Sequence, residues 1–191
     1  MNLRIEYDSY KIKDDITIEE IRLAIQYIQI KRETGKVSKD TCYKEEIYYG
    51  KRINKLLADL VVEYHKLQSF HWYLKGYHFF DDHAKLEEYY DSVAEAVDGV
   101  AENMLKLGLK PESTMKGFLA LSSIEEAKNK EVTSEEAYTE VLKDFKYLLD
   151  EVKSVKALAE KDNVYVTSNL MDDYIEMFYK ANWMVGQVLK K

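Results

Sequence analysis

The sequence predicts an all-α protein: a bundle of four long helices with one long crossover, preceded by an extra N-terminal helix. Three observations carry this. The 191 residues hold a single proline, Pro111, and only seven glycines, so long helices are rarely interrupted. Four segments place apolar residues at alternating steps of three and four, which lines one face of a helix. The gaps between those segments are unequal, and one is long enough to run the length of a bundle.

The first element lies in the N-terminal extension, residues 1–46. Thr17 and Glu20 have the spacing of a capping box, and Ile18, Ile21, Ile25 and Ile28 follow on one helical face. Gly35 closes this helix, and residues 36–46 read as a polar linker to a bundle domain over 47–191. The first bundle helix is expected over 51–75, with Ile53, Leu57, Leu60, Tyr64, Leu67 and His71 on its stripe. The second, over 82–107, carries Leu86, Tyr90, Val93, Val97, Val100 and Met104, and Gly108 stands where it should stop. A short helix near 114–121 falls within the crossover. Thr133 and Glu136 then cap a third helix over 134–160, with Tyr138, Val141, Phe145, Leu148, Val152, Val155 and Ala159 inward. The fourth, over 168–189, presents Met171, Tyr174, Phe178, Ala181, Val185 and Val188. Trp72 and Trp183, at helical spacing, read as core residues. Stripes this narrow, repeated four times, bury one another.

Composition limits the function classes. The formal charge is −7, which attracts cations and repels nucleic acid. Residues 1–50 hold nine Lys/Arg against ten Asp/Glu, and so carry little of that charge. Any contact with DNA is expected there, where Lys31, Arg32, Lys36 and Lys39 cluster with Glu33 as the one acid among them. The single Cys42 forms no intrachain disulfide and fits a reducing compartment. No apolar run approaches the roughly 18 residues of a membrane span, and the first residues lack a secretory pattern. The expectation is a cytoplasmic protein without membrane contact. Nucleotide-binding glycine loops, paired C-x-x-C motifs and E-x-x-H pairs are all absent.

Chemistry concentrates between residues 71 and 102. His71 ends the first bundle helix on its stripe, and His83 begins the second, so a short loop brings both imidazoles to one end of the bundle. Glu87 follows His83 by one turn, and Asp98 and Glu102 share a helical face. His65 and His78 lack acidic partners at helical spacing and read as structural. Stripe histidines are often hydrogen-bonded core residues, and acids on a helix edge are often merely solvated. Along one helix, His83 and Asp98 lie about 22 Å apart, too far to share an ion. Either the histidines and the acids are unrelated, or a second subunit brings Asp98 and Glu102 to the first subunit's His71, His83 and Glu87 about a two-fold axis. The combined set of two imidazoles and three carboxylates suits Fe(II) and tolerates Fe(III).

The run His71-Trp72-Tyr73-x-Lys75-Gly76-x-x-Phe79-Phe80-x-x-His83-x-x-x-Glu87, with Asp98-x-x-x-Glu102, Gly108-x-x-Pro111 and Lys180-x-x-Trp183-Met184, resembles the Dps family of ferritin-like mini-ferritins. The resemblance spans roughly residues 47–189. It implies a ferritin-like four-helix bundle with a short helix in the crossover, assembled as a hollow homo-dodecamer. It implies a ferroxidase site at a two-fold interface: His71, His83 and Glu87 from one subunit, Asp98 and Glu102 from its neighbour. The family oxidises Fe(II), preferably with hydrogen peroxide, and stores ferric mineral, and the resemblance implies the same here. Trp72 matches a tryptophan that donates an electron beside the site. Some members of the family bind DNA through an N-terminal extension and others bind none; the basic cluster here suggests DNA binding, and the Ile18, Ile21, Ile25 and Ile28 face suggests docking of the extra helix on a neighbouring subunit instead. At positions where members carry pore aspartates, this chain has Val164 and Asn169, with Asp172 and Asp173 nearby.

Overall fold

A computed structural model describes the backbone of residues 39–190 and the side chains of residues 49–190. The chain divides into two units, Met1–Ile47 and Tyr48–Lys191. The expected N-terminal helix, with Lys31, Arg32 and Lys36, lies outside the described residues. The described elements are helix α1 (Lys39–Tyr73), strand β1 (Leu74–Lys75), α2 (Phe79–Lys106), α3 (Met115–Leu121), β2 (Val132–Thr133), α4 (Ser134–Lys161) and α5 (Tyr165–Val188).

Pairs of touching residues fix the topology. Along α1 and α4, Arg52 meets Glu151 at 3.1 Å and Lys66 meets Asp144 at 2.5 Å, so the numbers run in opposite directions. The α1–α2 pairs His71–His83 and Tyr64–Tyr90 behave likewise. So do Asn103–Thr167 and Gly99–Tyr174 between α2 and α5, and Lys156–Asp172 and Phe145–Phe178 between α4 and α5. Every neighbouring pair is therefore antiparallel. The diagonal pair α2 and α4 is parallel: the Tyr138 phenol donates to Asp82 at 3.1 Å, and the Tyr89 and Phe145 rings meet edge to face at 5.3 Å. Two consecutive long helices that run the same way need a connection as long as the bundle, and residues 107–133 provide it.

The predicted stripes form the core. Ile53, Leu57, Leu60, Leu67, Leu86, Val100 and Met104 are buried, as is every predicted α4 stripe position from Tyr138 to Ala159. The local signals act as expected. Thr133 and Glu136 close a capping box on α4, the Thr114 hydroxyl caps α3, and Gly108 takes a left-handed φ of 73° just beyond α2.

Several expectations are corrected. Residues 39–46, read as a polar linker, are the first turns of α1. The polar sequence there lacks breakers, and the apolar stripe behind it propagates the helix. Helix α2 starts at Phe79 rather than 82, because Gly76 at φ 134° completes the reversal early. Helix α5 starts at Tyr165 rather than 168. The short segments β1 and β2 pair in parallel, Leu74 opposite Val132, and tie the α1–α2 loop to the end of the crossover. Trp72 (58% exposed), Trp183 (65%) and Val188 lie on the surface of the chain, not in its core. Their stripes continue past the region that one bundle can cover.

Asp59 anchors the crossover. It is fully buried on α1; Oδ1 accepts from the Ser122 hydroxyl (2.9 Å) and the Ser123 amide (2.6 Å), and Oδ2 from Lys55 and Tyr147, each at 2.8 Å.

Candidate metal centre

The α1–α2 loop brings His71 and His83 face to face. Their rings stack with centroids 3.6 Å apart and planes 19° from parallel. Each imidazole is also held by the other's backbone: His71 Nδ1–H donates to the His83 carbonyl, and His83 Nδ1–H to the His71 carbonyl, both at 2.8 Å. A carbonyl only accepts, so each Nδ1 carries a proton and is engaged, and Nε2 is the ring nitrogen left to face an ion. Metal-binding histidines are commonly oriented in this way. Phe79 stacks on the far face of His83 at 4.9 Å, and Tyr90 meets His71 edge-on at 5.4 Å. His71 is buried and His83 half-buried. Asp82, beside His83, accepts from Ser134 and Tyr138, so α4 fixes the start of α2.

The carboxylates occupy a different environment. Glu87, Asp91, Asp98 and Glu102 are all exposed along α2. Glu102 pairs with Lys106 at 3.1 Å. Among the described residues, no three His, Cys, Asp or Glu side chains of one chain gather as a metal cage. One chain thus brings together the two histidines, with Glu87 a turn beyond, and leaves Asp98 and Glu102 far along the helix.

The other singled-out residues are placed as follows. Trp72 is exposed and meets His65 edge-on at 6.0 Å. His78 precedes α2 without a side-chain capping bond. Lys39 begins the described part of α1. Val164 precedes α5, and Asp172 is engaged by Lys156 at 2.9 Å. Sequence reading passed over Asp82 and counted Tyr90 only as a stripe position. The signal for Tyr90 was its register: it sits seven residues after His83 and three after Glu87.

A bundle with one long crossover and two stacked histidines at one end defines a class. The ferritin-like domain family matches residues 50–191, and the chain belongs to it. Within that family it is a Dps protein: a DNA protection during starvation protein 2 from Bacillus anthracis is 38% identical over 139 residues, covering 73% of this chain and 94% of that one. Antigen TpF1 of Treponema pallidum is 37% identical in its crystal structure, which superposes with a TM-score of 0.75 over 78% of this chain and 95% of that one. A Dps protein from Vibrio cholerae, described as belonging to the ferritin-like diiron-carboxylate proteins, gives a TM-score of 0.74 at 30% identity, over 77% and 92% of the two chains. Among the described residues, no helix is long and apolar enough to cross a membrane.

Proposed function

We propose that this chain is an iron-detoxifying and iron-storing ferroxidase, assembled as a hollow homo-dodecamer, that oxidises Fe(II) at sites shared across a two-fold axis. The observation that carries this reading is the reciprocal pair of bonds between His71 and His83. They engage both Nδ1 atoms and leave the two Nε2 atoms as the ring positions for an ion, with the Glu87 carboxylate one turn beyond. The rest of the site comes from the neighbour's Asp98 and Glu102, which no single chain brings to the histidines. Five ligands of this kind hold Fe(II) and stabilise the extra charge of Fe(III). Hydrogen peroxide is the oxidant: it takes one electron from each of two Fe(II) ions, its O–O bond breaks, and two hydroxides leave. Trp72, beside His71 in sequence, supplies an electron where only one iron is bound. The −7 charge of each chain favours accumulation of cations.

The test is an anaerobic Fe(II) titration followed by peroxide. The wild type should bind iron at saturable sites and oxidise it rapidly. The double substitution His71→Gly with His83→Gly should slow oxidation by at least about a hundredfold if both ligands are lost. Oxidation at the wild-type rate would remove the site.

The same protein is proposed to hold DNA through its N-terminal extension. Lys31, Arg32, Lys36 and Lys39 supply weak phosphate contacts, and twelve copies multiply them by avidity. The support is the near-neutral charge of residues 1–50 on an otherwise acidic chain, together with the DNA-protection names of the relatives. In a gel-shift series, the wild type should retard DNA without sequence preference and release it steeply as salt rises. Replacing all four basic residues with Gln should abolish retardation; unchanged retardation would rule this segment out.

A further inference from the structure

The two proposed histidine ligands are part of a longer column of rings. Phe79 stacks on His83, His83 on His71, Tyr90 stands edge-on against His71, and Tyr64 stands edge-on against Tyr90 at 5.9 Å with planes 86° apart. Phe79 meets one imidazole of the pair and Tyr90 the other. Tyr90 also stands three residues after Glu87 on α2, so the two side chains are neighbours on one face of that helix. One side chain thus touches a proposed ligand on α1 with its ring and lies one turn from a proposed ligand on its own helix.

The physical need for such a residue is clear. The His71–His83 bonds fix the Nδ1 edges of both rings, but hydrogen bonds to two carbonyls still permit rocking about the Nδ1–Cγ side. A perpendicular ring against His71 removes that freedom, because edge-to-face contacts are directional. Glu87 has no such restraint of its own: it is exposed, and its side chain has three rotatable bonds. A phenol one turn along the same helix is placed to restrain that carboxylate. Tyr64, whose hydroxyl accepts from Gln68 at 3.3 Å, backs Tyr90 from α1.

We infer that Tyr90 is a positioning residue of the metal centre, setting the ring orientation of His71 and the rotamer of Glu87 before the ion arrives. This rests on the ferroxidase reading above and deepens it.

Co(II), a spectroscopic probe for Fe(II), tests it in the full-length assembled protein without turnover. Titrations follow the visible bands of the bound ion for the wild type, Tyr90→Phe and Tyr90→Leu, with melting temperature and assembly size recorded for each. Tyr90→Phe keeps the ring and loses only the hydroxyl. It should bind Co(II) several-fold more weakly, with altered band positions, at unchanged melting temperature and size. Tyr90→Leu loses both contacts and should weaken binding by about ten- to a hundredfold, the usual cost of removing a residue that orients a ligand. A residue that served packing alone would lower the melting temperature in Tyr90→Leu and leave the Tyr90→Phe spectrum untouched. Wild-type affinity and band positions in Tyr90→Phe overturn the inference, whatever becomes of the leucine variant. A wild type without Co(II) bands overturns the ferroxidase reading, and this inference with it; a wild type that binds beside variants that bind identically overturns this inference alone.

Discussion

Glu63 is the residue least expected from its surroundings. It is fully buried on α1, and neither carboxylate oxygen has a hydrogen-bond partner among the described residues. Burial first, then the negative charge of Asp144, push its pKa well above the usual carboxylate value and so favour its neutral form. The nearby ion pair of Lys66 and Asp144 does not relieve it: Lys66 already serves Asp144 at 2.5 Å and Glu140 at 3.4 Å. A group with a raised folded pKa holds more protons when folded, so its contribution is complete below the unfolded value, near 4.5, and is lost as pH rises toward the folded value. Glu63→Leu should therefore stabilise the chain by about 1–3 kcal/mol at pH 8 and by much less at pH 4. Thermal melts at both pH values and one fixed protein concentration would check this; an equal gain at both would mean that ionisation plays no part.

Elements are held by a few polar contacts at their ends. The Thr133–Glu136 box starts α4, so Thr133→Ala should cost about 1 kcal/mol, seen as a lower denaturant midpoint. Asp59 has a larger role, because it joins α1 and α4 to the turn after α3 through four accepted hydrogen bonds. Asp59→Ala leaves Lys55 and the Ser123 amide without that partner and should destabilise by about 3–5 kcal/mol. Hydrogen exchange should show opening concentrated in residues 107–133; protection unchanged in that segment would mean that the crossover is anchored elsewhere. Both contacts start from ordinary residues, but only the first could be read from spacing. The partners of Asp59 lie 63 and 88 residues away along the chain, and no local pattern announces them.

At the scale of the whole molecule, the proposed centre is one that a single chain cannot complete. His71 and His83 meet, while Asp98 lies about 22 Å along α2 from His83. In mixed assemblies of a His71→Ala/His83→Ala chain with an Asp98→Ala/Glu102→Ala chain, each hybrid dimer regains one intact site of its two. Random pairing should restore about a quarter of wild-type ferroxidase sites, although each variant alone has none. Peroxide-driven Fe(II) oxidation by the co-assembled mixture measures this. No recovery in verified hybrids would place all ligands within one chain and refute the shared site. The exposed Trp72 and Trp183 belong to the same scale, since their surroundings are not supplied by a single bundle.

Periodicity was enough to locate the four bundle helices, their buried stripes, the α4 cap and the α3 turn, because each depends on residues at most a few turns apart. The positions of His71 and His83 likewise announced that the two imidazoles meet, since a tight loop must bring the two helix ends together. The long crossover implied parallel diagonal helices by length alone. Spacing did not reveal that residues 39–46 belong to α1, the β1–β2 pairing or the surface position of the tryptophans. Those depend on whether a neighbouring segment covers or extends an element, which is a matter of packing. The ring column and the reciprocal imidazole bonds were hidden for the same reason. Which nitrogen carries the proton, and which ring edge faces Tyr90, follows from the meeting of two helices in space, and no spacing along either helix encodes it.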